Sequence, residues 1–247
     1  ACAQVMSRKF AFWGLPHGGA KAWLEPPPQE APPALRREAL VELGGCLADL
    51  ITGGRWLPGI DMGSTIEDLR ALHEGAGHAV DLSGWRNRSH LHTAWSVMEA
   101  GQAALRDRGE TLRGARVAVQ GLGRVGSELV ARLHAEGAIV VAVSEAGGTL
   151  RASGGLDVER LLAARRAAQG EGFDGVAGER DASPQRVLTV DADVLFPCAR
   201  AQALGPEHIP ALGAGVIVPA ANWALSDETA EAMHRAGVLV VPDFVAN

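Results

Sequence analysis

The run Val117 to Gly126, VAVQGLGRVG, restricts what this chain can fold into more than any other segment. A β-rich stretch from Arg116 to Gln120 leads into a glycine turn, Gly121 to Gly126, and a helical pattern follows from Ser127 to Glu136. A second β-rich stretch, Ile139 to Ser144, completes a βαβ unit, and in that context G-x-G-x-x-G has a physical meaning. Gly121 permits the tight turn, Gly123 lets backbone approach a pyrophosphate, and Gly126 lets the helix pack closely on the strand. Arg124 and Val125 fall where helical N–H groups lack intrahelical partners and favour an anion. The spacing therefore predicts a dinucleotide site at this turn.

The end of the second strand should then meet the ribose. Glu145 stands there as an acceptor for ribose hydroxyls, which points to NAD. Ser144 lies closer to the usual acidic position, and Arg151 follows a few residues on, so NADP stays open.

Later β-rich runs at Val194 to Phe196, Val216 to Val218 and Val238 to Val241 are separated by helical or loop stretches such as Asp227 to Ala236. They predict a largely parallel, doubly wound sheet covered by helices. Upstream, helical spacing marks Ala1 to Phe12, Ala34 to Ile51, Ile66 to Gly75 and Thr93 to Arg108, with Gly53-Gly54 and Gly109 as stop signals. The expected class is α/β, with a Rossmann-like cofactor domain over residues 91–247 and an incomplete α/β substrate domain over 1–90. The chain opens inside a helical pattern without an initiator Met, so upstream sequence is expected.

Composition excludes several other classes. The net charge of −6 and the 21 % of charged residues offer no basic surface for a nucleic acid. No apolar run approaches the roughly 18 residues of a membrane span, and the start lacks the charged region of a secretory signal. Cys2, Cys46 and Cys198 form no CxxC pair, which fits a reducing cytoplasm. His73 and His78, like His90 and His92, lack metal-ligand spacing, so surface or capping roles and no metal site are expected. Cys198 has no base near it in sequence and reads as packing rather than as a nucleophile.

Separated motifs carry a further signal. Met6-x-x-Lys9, GLPHGGAK ending at Lys21, Asp61-Met62-Gly63, Thr93-Ala94, GLGRVG, Asn222 and the closing PDFVAN follow one another over essentially the whole chain. In order and spacing the chain resembles the glutamate/leucine/phenylalanine/valine dehydrogenase family. The resemblance implies that Lys9 holds a substrate α-carboxylate, with Gly18, Gly19 and Asn222 also lining the substrate. It makes Lys21 the catalytic lysine and Asp61 the acid/base at the amino nitrogen. Thr93 and Asn222 would meet the nicotinamide end of the cofactor, and Cys198 and Ala199 would flank it. A compact ammonium suits a carboxylate, and a lysine beside a carboxylate suits proton transfer.

This sequence departs from the family at Ala22-Trp23, where glycines are usual after the lysine, and at Ser83 to His92 and Trp95-Ser96. The implied activity is reversible oxidative deamination of an L-amino acid, glutamate slightly favoured, to the 2-oxo acid and ammonia. The implied assembly is a homo-oligomer, a hexamer or another even-numbered form. Two rivals remain: a non-catalytic cofactor-binding or regulatory subunit, favoured by Ala22-Trp23, and an unrelated Rossmann oxidoreductase with no role for Lys9, Lys21 or Asp61.

Overall fold

The computed structural model describes residues 2–25, 33–61, 63–83, 88–167 and 172–247. The Pro-rich segment 26–32, Met62 and residues 84–87 of the Ser83 to His92 stretch lie outside the described residues. Helices α1 (Cys2–Phe12), α2 (Pro33–Cys46), α3 (Ala48–Thr52), α4 (Ile66–Gly75) and α5 (Ser89–Asp107) precede strand β1 (Arg116–Gln120). Then come α6 (Arg124–Ala135), β2 (Ile139–Glu145), β3 (Gly148–Arg151), α7 (Val158–Ala167), β4 (Glu179–Asp181) and β5 (Ala192–Pro197). The chain closes with β6 (Ala214–Ile217), α8 (Asp227–Arg235), β7 (Leu239–Val240) and α9 (Asp243–Ala246).

Two compact units result, residues 1–19 with 88–247 and residues 20–87. Residues 1–19 group with the sheet unit rather than with 20–87. The cause lies in α1: Phe12 packs edge-on against Phe244 of α9, and Arg8 makes a two-pronged ion pair with Asp227 of α8.

The sheet unit has the α/β class expected. Its strand order is β4-β3-β2-β1-β5-β6-β7, with β2, β1, β5, β6 and β7 parallel and β3 and β4 added antiparallel at one edge. β1 and β5 are apolar and buried because helices cover both faces. Leu105, Leu129 and Leu133 pack with Phe196 on one face, and Leu195, Ile217 and Met233 pack together on the other. Chain connections turn to opposite sides of β1, which puts a crevice beyond the carboxyl ends of β1 and β5. Among the described residues, no helix is long and apolar enough to cross a membrane.

The elements that the sequence did not announce are β3, β4 and α7. The two strands are short, and the second is entirely polar, Glu179-Arg180-Asp181, so neither shows a periodic pattern. In the unit 20–87 the described elements are helices. The single helix expected over Ala34 to Ile51 breaks at Leu47 into α2 and α3. Gly44 and Gly45 just before the break lower helix propensity. Gly44 is there for contact, since a Cβ on it would come within 2.0 Å of the Leu72 carbonyl oxygen, as would one on Gly75 within 1.9 Å of that of Val41. Helices α2 and α4 thus meet backbone to backbone, over Ile51, Leu69 and Leu72.

Candidate active site

The glycine turn after β1 has the properties of a phosphate cradle. Gly121 takes φ +93°, and a Cβ there would lie 2.7 Å from the Ala199 Cα, while one on Gly126 would lie 1.9 Å from the Gly121 carbonyl oxygen. Both are glycines because backbone occupies the space. Gly123 differs, for a Cβ there would meet nothing within 4 Å, and it is the N-cap of α6 with no side chain capping the helix. Open space therefore lies at the first turn of α6, where helix N–H groups have no intrahelical acceptor, the arrangement that receives a pyrophosphate. The residues present fit a dinucleotide.

Around the turn, the Cys198 N–H donates to the Gln120 carbonyl at 2.7 Å, which lays the Cys198-Ala199 segment against Gly121. Burial pushes the Cys198 thiol well above its ordinary range, which disfavours the nucleophilic thiolate. Gln120 was missed by the sequence reading. Its Oε1 is buried without a hydrogen-bond partner at the mouth end of β1, and the available signal was a polar residue closing an otherwise apolar strand.

Glu145 is engaged rather than solvated. Its Oε2 takes the Arg165 guanidinium, its Oε1 accepts the Gly172 N–H at 2.5 Å, and Arg165 also donates to the Leu122 carbonyl at 2.5 Å. Ser144 is fully buried and meets the turn through its carbonyl, which accepts the Gly121 N–H at 2.8 Å. Its hydroxyl is therefore not at a surface where a 2′-phosphate could reach it. Arg151 pairs with Glu179 across β3 and β4 at 2.5 Å. A groove beside the turn is lined by His90, Gly123, Arg124, Ser127, Arg165 and Arg166, with Arg124 3.0 Å from the His90 Nδ1.

Lys9 lies in the last turn of α1 and is largely buried. Its Nζ donates to the Asn247 Oδ1 at 3.0 Å, and the Asn247 amide in turn donates to the Ala220 carbonyl. Burial lowers the Lys9 pKa from the ordinary lysine value, while the charge of Asp243 raises it. The GLPHGG loop is tied to the same helix, for the Gly19 N–H donates to the Ser7 hydroxyl at 2.8 Å. A Cβ on Gly19 would be 2.1 Å from the Ala3 carbonyl oxygen, whereas Gly18 faces open space. Thr93, in the second turn of α5, and Asn222, in the segment after β6, are both half-buried.

Lys21 and Asp61, 40 residues apart, come together as an ion pair within the unit 20–87. A short turn holds the acid. The Asp61 N–H donates to the Ser64 hydroxyl at 2.8 Å, that hydroxyl donates back to the Asp61 carbonyl, and Gly63 takes φ +75° to close it. Lys21 sits on a loop beside Trp23, whose ring is 87 % exposed.

The histidines differ in part from the expectation of surface roles. His73 is buried at the end of α4 with its Nδ1 3.0 Å from that of His78, and burial lowers its pKa. Among the described residues no cluster of His, Cys, Asp and Glu has the makings of a metal site.

The chain is similar to known proteins. Leucine dehydrogenase from Bacillus cereus is 30 % identical over 252 aligned residues, covering 99 % of this chain and 62 % of the relative. The hetero-hexameric glutamate dehydrogenase from Thermus thermophilus, in its leucine-bound form, superimposes with a TM-score of 0.83 at 28 % identity, over 98 % of this chain and 60 % of that one. L-tryptophan dehydrogenase from Nostoc punctiforme gives 0.64 at 26 % identity, over 98 % of this chain and 63 % of that one. The chain thus spans somewhat under two thirds of these relatives. Residues 84–247 match the family described as glutamate/leucine/phenylalanine/valine dehydrogenase, the family to which this chain belongs.

Proposed function

We propose that the protein carrying this chain is an NAD(P)-dependent amino acid dehydrogenase, interconverting an L-amino acid and water with its 2-oxo acid and ammonia. The observation that carries this reading is the Lys21–Asp61 ion pair, formed by two loops far apart in sequence and in the order the family expects. The reading gives Lys9 the substrate α-carboxylate, with Gly18, Gly19 and Asn222 beside it. Thr93, Gly121, Gly123, Arg124, Val125, Gly126, Glu145, Cys198, Ala199 and Asn222 line the cofactor side, and Ser144 supports the turn from behind through its carbonyl.

A bound nicotinamide cofactor would supply the hydride acceptor for the substrate α-carbon. Asp61 takes and returns protons at the amino nitrogen. Lys21, once it has given up a proton, draws one from the water that attacks the imine carbon, and as an ammonium it polarises the carbonyl oxygen of the product. Gly123 keeps the path to the α6 N–H groups clear. Glu145, at the end of β2, favours ribose hydroxyls and hence NAD, and its pairing with Arg165 leaves NADP compatible.

Leucine, glutamate and tryptophan stand in the names of the relatives, while the sequence itself leans to glutamate. A homo-oligomer of even number belongs to the same reading and is tested by light scattering; the free cysteines among the described residues agree with a reducing cytoplasm. The deciding experiment supplies the protein with NAD or NADP and each of these three amino acids, and follows NAD(P)H formation by absorbance. Amino-acid-dependent reduction supports the proposal. Cofactor binding without turnover on any amino acid would favour a non-catalytic subunit, the reading to which exposed Trp23 beside Lys21 lends weight.

A further inference from the structure

Trp223 adopts φ +54°, a left-handed conformation that is strained for a bulky side chain. Something must hold it there. Its carbonyl accepts the N–H of Gln202, itself left-handed at φ +50°, at 2.7 Å, and the next residue, Ala224, accepts from Leu204 at 3.1 Å. Upstream, the N–H groups of Ala220 and Ala221 both reach the Pro197 carbonyl, at 2.9 and 3.0 Å. The N–H of Trp223 is satisfied by a side chain instead, the Asp243 carboxylate at 2.5 Å.

Asp243 opens α9, and Asn247 follows that helix with its amide on the Ala220 carbonyl. Side chains of this C-terminal segment thus grip the backbone on both sides of Asn222, at Ala220 and at Trp223. We propose that Asp243 is a positioning residue, whose carboxylate pins the Trp223 N–H, holds the left-handed turn and so fixes Asn222 toward the cofactor. The assignment rests on the cofactor-facing role of Asn222 given above. Asp243 touches neither substrate nor cofactor in this account. Its charge also reaches Lys9 and Arg8 of α1, so the same carboxylate favours the charged form of the lysine bonded to Asn247.

The test uses the whole protein with Asp243→Ala, Asp243→Asn and the double variant Asp243→Ala/Trp223→Gly. Amide hydrogen exchange over residues 220–225 and NADH fluorescence titration are the readouts. In Asp243→Ala, exchange at Trp223 should quicken and NADH binding weaken by roughly tenfold, the size of one lost hydrogen bond to a charged group. Asp243→Asn keeps an acceptor and should stay close to the parent in both. Glycine adopts positive φ without strain, so adding Trp223→Gly should restore most of the NADH affinity although the carboxylate is gone. A loss of folding alone would not be rescued in this way. If Asp243→Ala does not fold by circular dichroism, recovery of folding and NADH binding in the double variant supports the proposal, and failure to recover overturns it. Unchanged exchange at Trp223 in a folded Asp243→Ala, or parental NADH affinity there, also overturns it. A parent that does not bind NADH fails the functional reading itself, and the exchange comparison then decides whether Asp243 holds the turn.

Discussion

Glu145 at the end of β2 and Arg165 of α7 form a buried ion pair, with the side chains 16 % and 8 % exposed, and the same guanidinium holds the Leu122 carbonyl of the glycine turn. Under the proposed cofactor assignment, the acid facing the ribose is paired with a residue that also braces the glycine turn. Removing either partner should change cofactor preference in opposite directions. Glu145→Ser leaves the Arg165 charge uncompensated, so the ratio of NADPH to NADH affinity should rise by roughly tenfold, about one charge interaction near a surface. Arg165→Ala leaves Glu145 uncompensated and should lower that ratio. Paired fluorescence titrations decide the matter, and a ratio unmoved by both substitutions would place the pair away from the ribose.

Gly123 and Gly126 of the turn should fail in different ways. Gly123→Val adds bulk where only open space lies, so the fold should survive while NADH binding is lost. Gly126→Ala pushes a methyl into the Gly121 carbonyl, so α6 must shift from β1 and thermal stability should fall, by about 1–3 kcal/mol as for other overpacked sites. Melting curves and titrations on both variants separate the roles. Parental NADH binding by Gly123→Val would remove the cofactor assignment.

Much of this was legible from the residues. The βαβ unit, the position of β1 and the Ile66 to Gly75 helix follow from periodicity and glycine placement. What escaped is of a different kind. β3 and β4 are short strands on one side of the sheet whose pairing depends on β2 being in place, so no local pattern marks them. Arg165 reaches Glu145 only because α7 returns over the turn, and Asn247 meets Lys9 across 238 residues of sequence. Partners set by tertiary return leave no spacing to read. Lys21 and Asp61 were named through family resemblance, since two isolated charged residues on Gly-flanked loops carry no local pattern of their own.

A pH effect on stability follows from α4. Asp68 accepts both nitrogens of Arg36 and the N–H of Thr65, which holds its carboxyl down at about 2. A depressed carboxylate stabilises the fold above its unfolded pKa near 3.8, and that contribution drains away as pH falls toward about 2. Arg36 is partly exposed, so the contribution is about 1–2 kcal/mol rather than the full value of the shift. Asp68→Asn should therefore lower the melting temperature at neutral pH, and the gap from the parent should close as the solution is acidified through that window. A gap that stays constant would show that the capping contact, not the charge, carries the effect.

Lys21 and Asp61 should behave as one catalytic unit. The pair is poorly placed to stabilise the fold, because the two side chains are 33 % and 54 % exposed and solvent screens such pairs to a small net value. Asp61 nevertheless sits in a built turn, fixed by Ser64 and by the positive φ of Gly63, so its position is specified without a stability reward. That combination supports the proposed proton-transfer role of Asp61. Asp61→Asn retains the shape and the Ser64 contacts but cannot carry a proton, so turnover should fall by roughly a hundredfold or more. Lys21→Ala should lose both the base that draws a proton from water and the cation that polarises the carbonyl oxygen. Since each needs the other, the double variant should be little worse than the worse single one. Melting temperature should move by no more than a degree or two on the small value of an exposed pair, and NADH affinity should be parental in all three. Near-parental turnover in Asp61→Asn, with NADH binding intact, would remove the proton-transfer role and leave the Lys21–Asp61 contact as a surface ion pair.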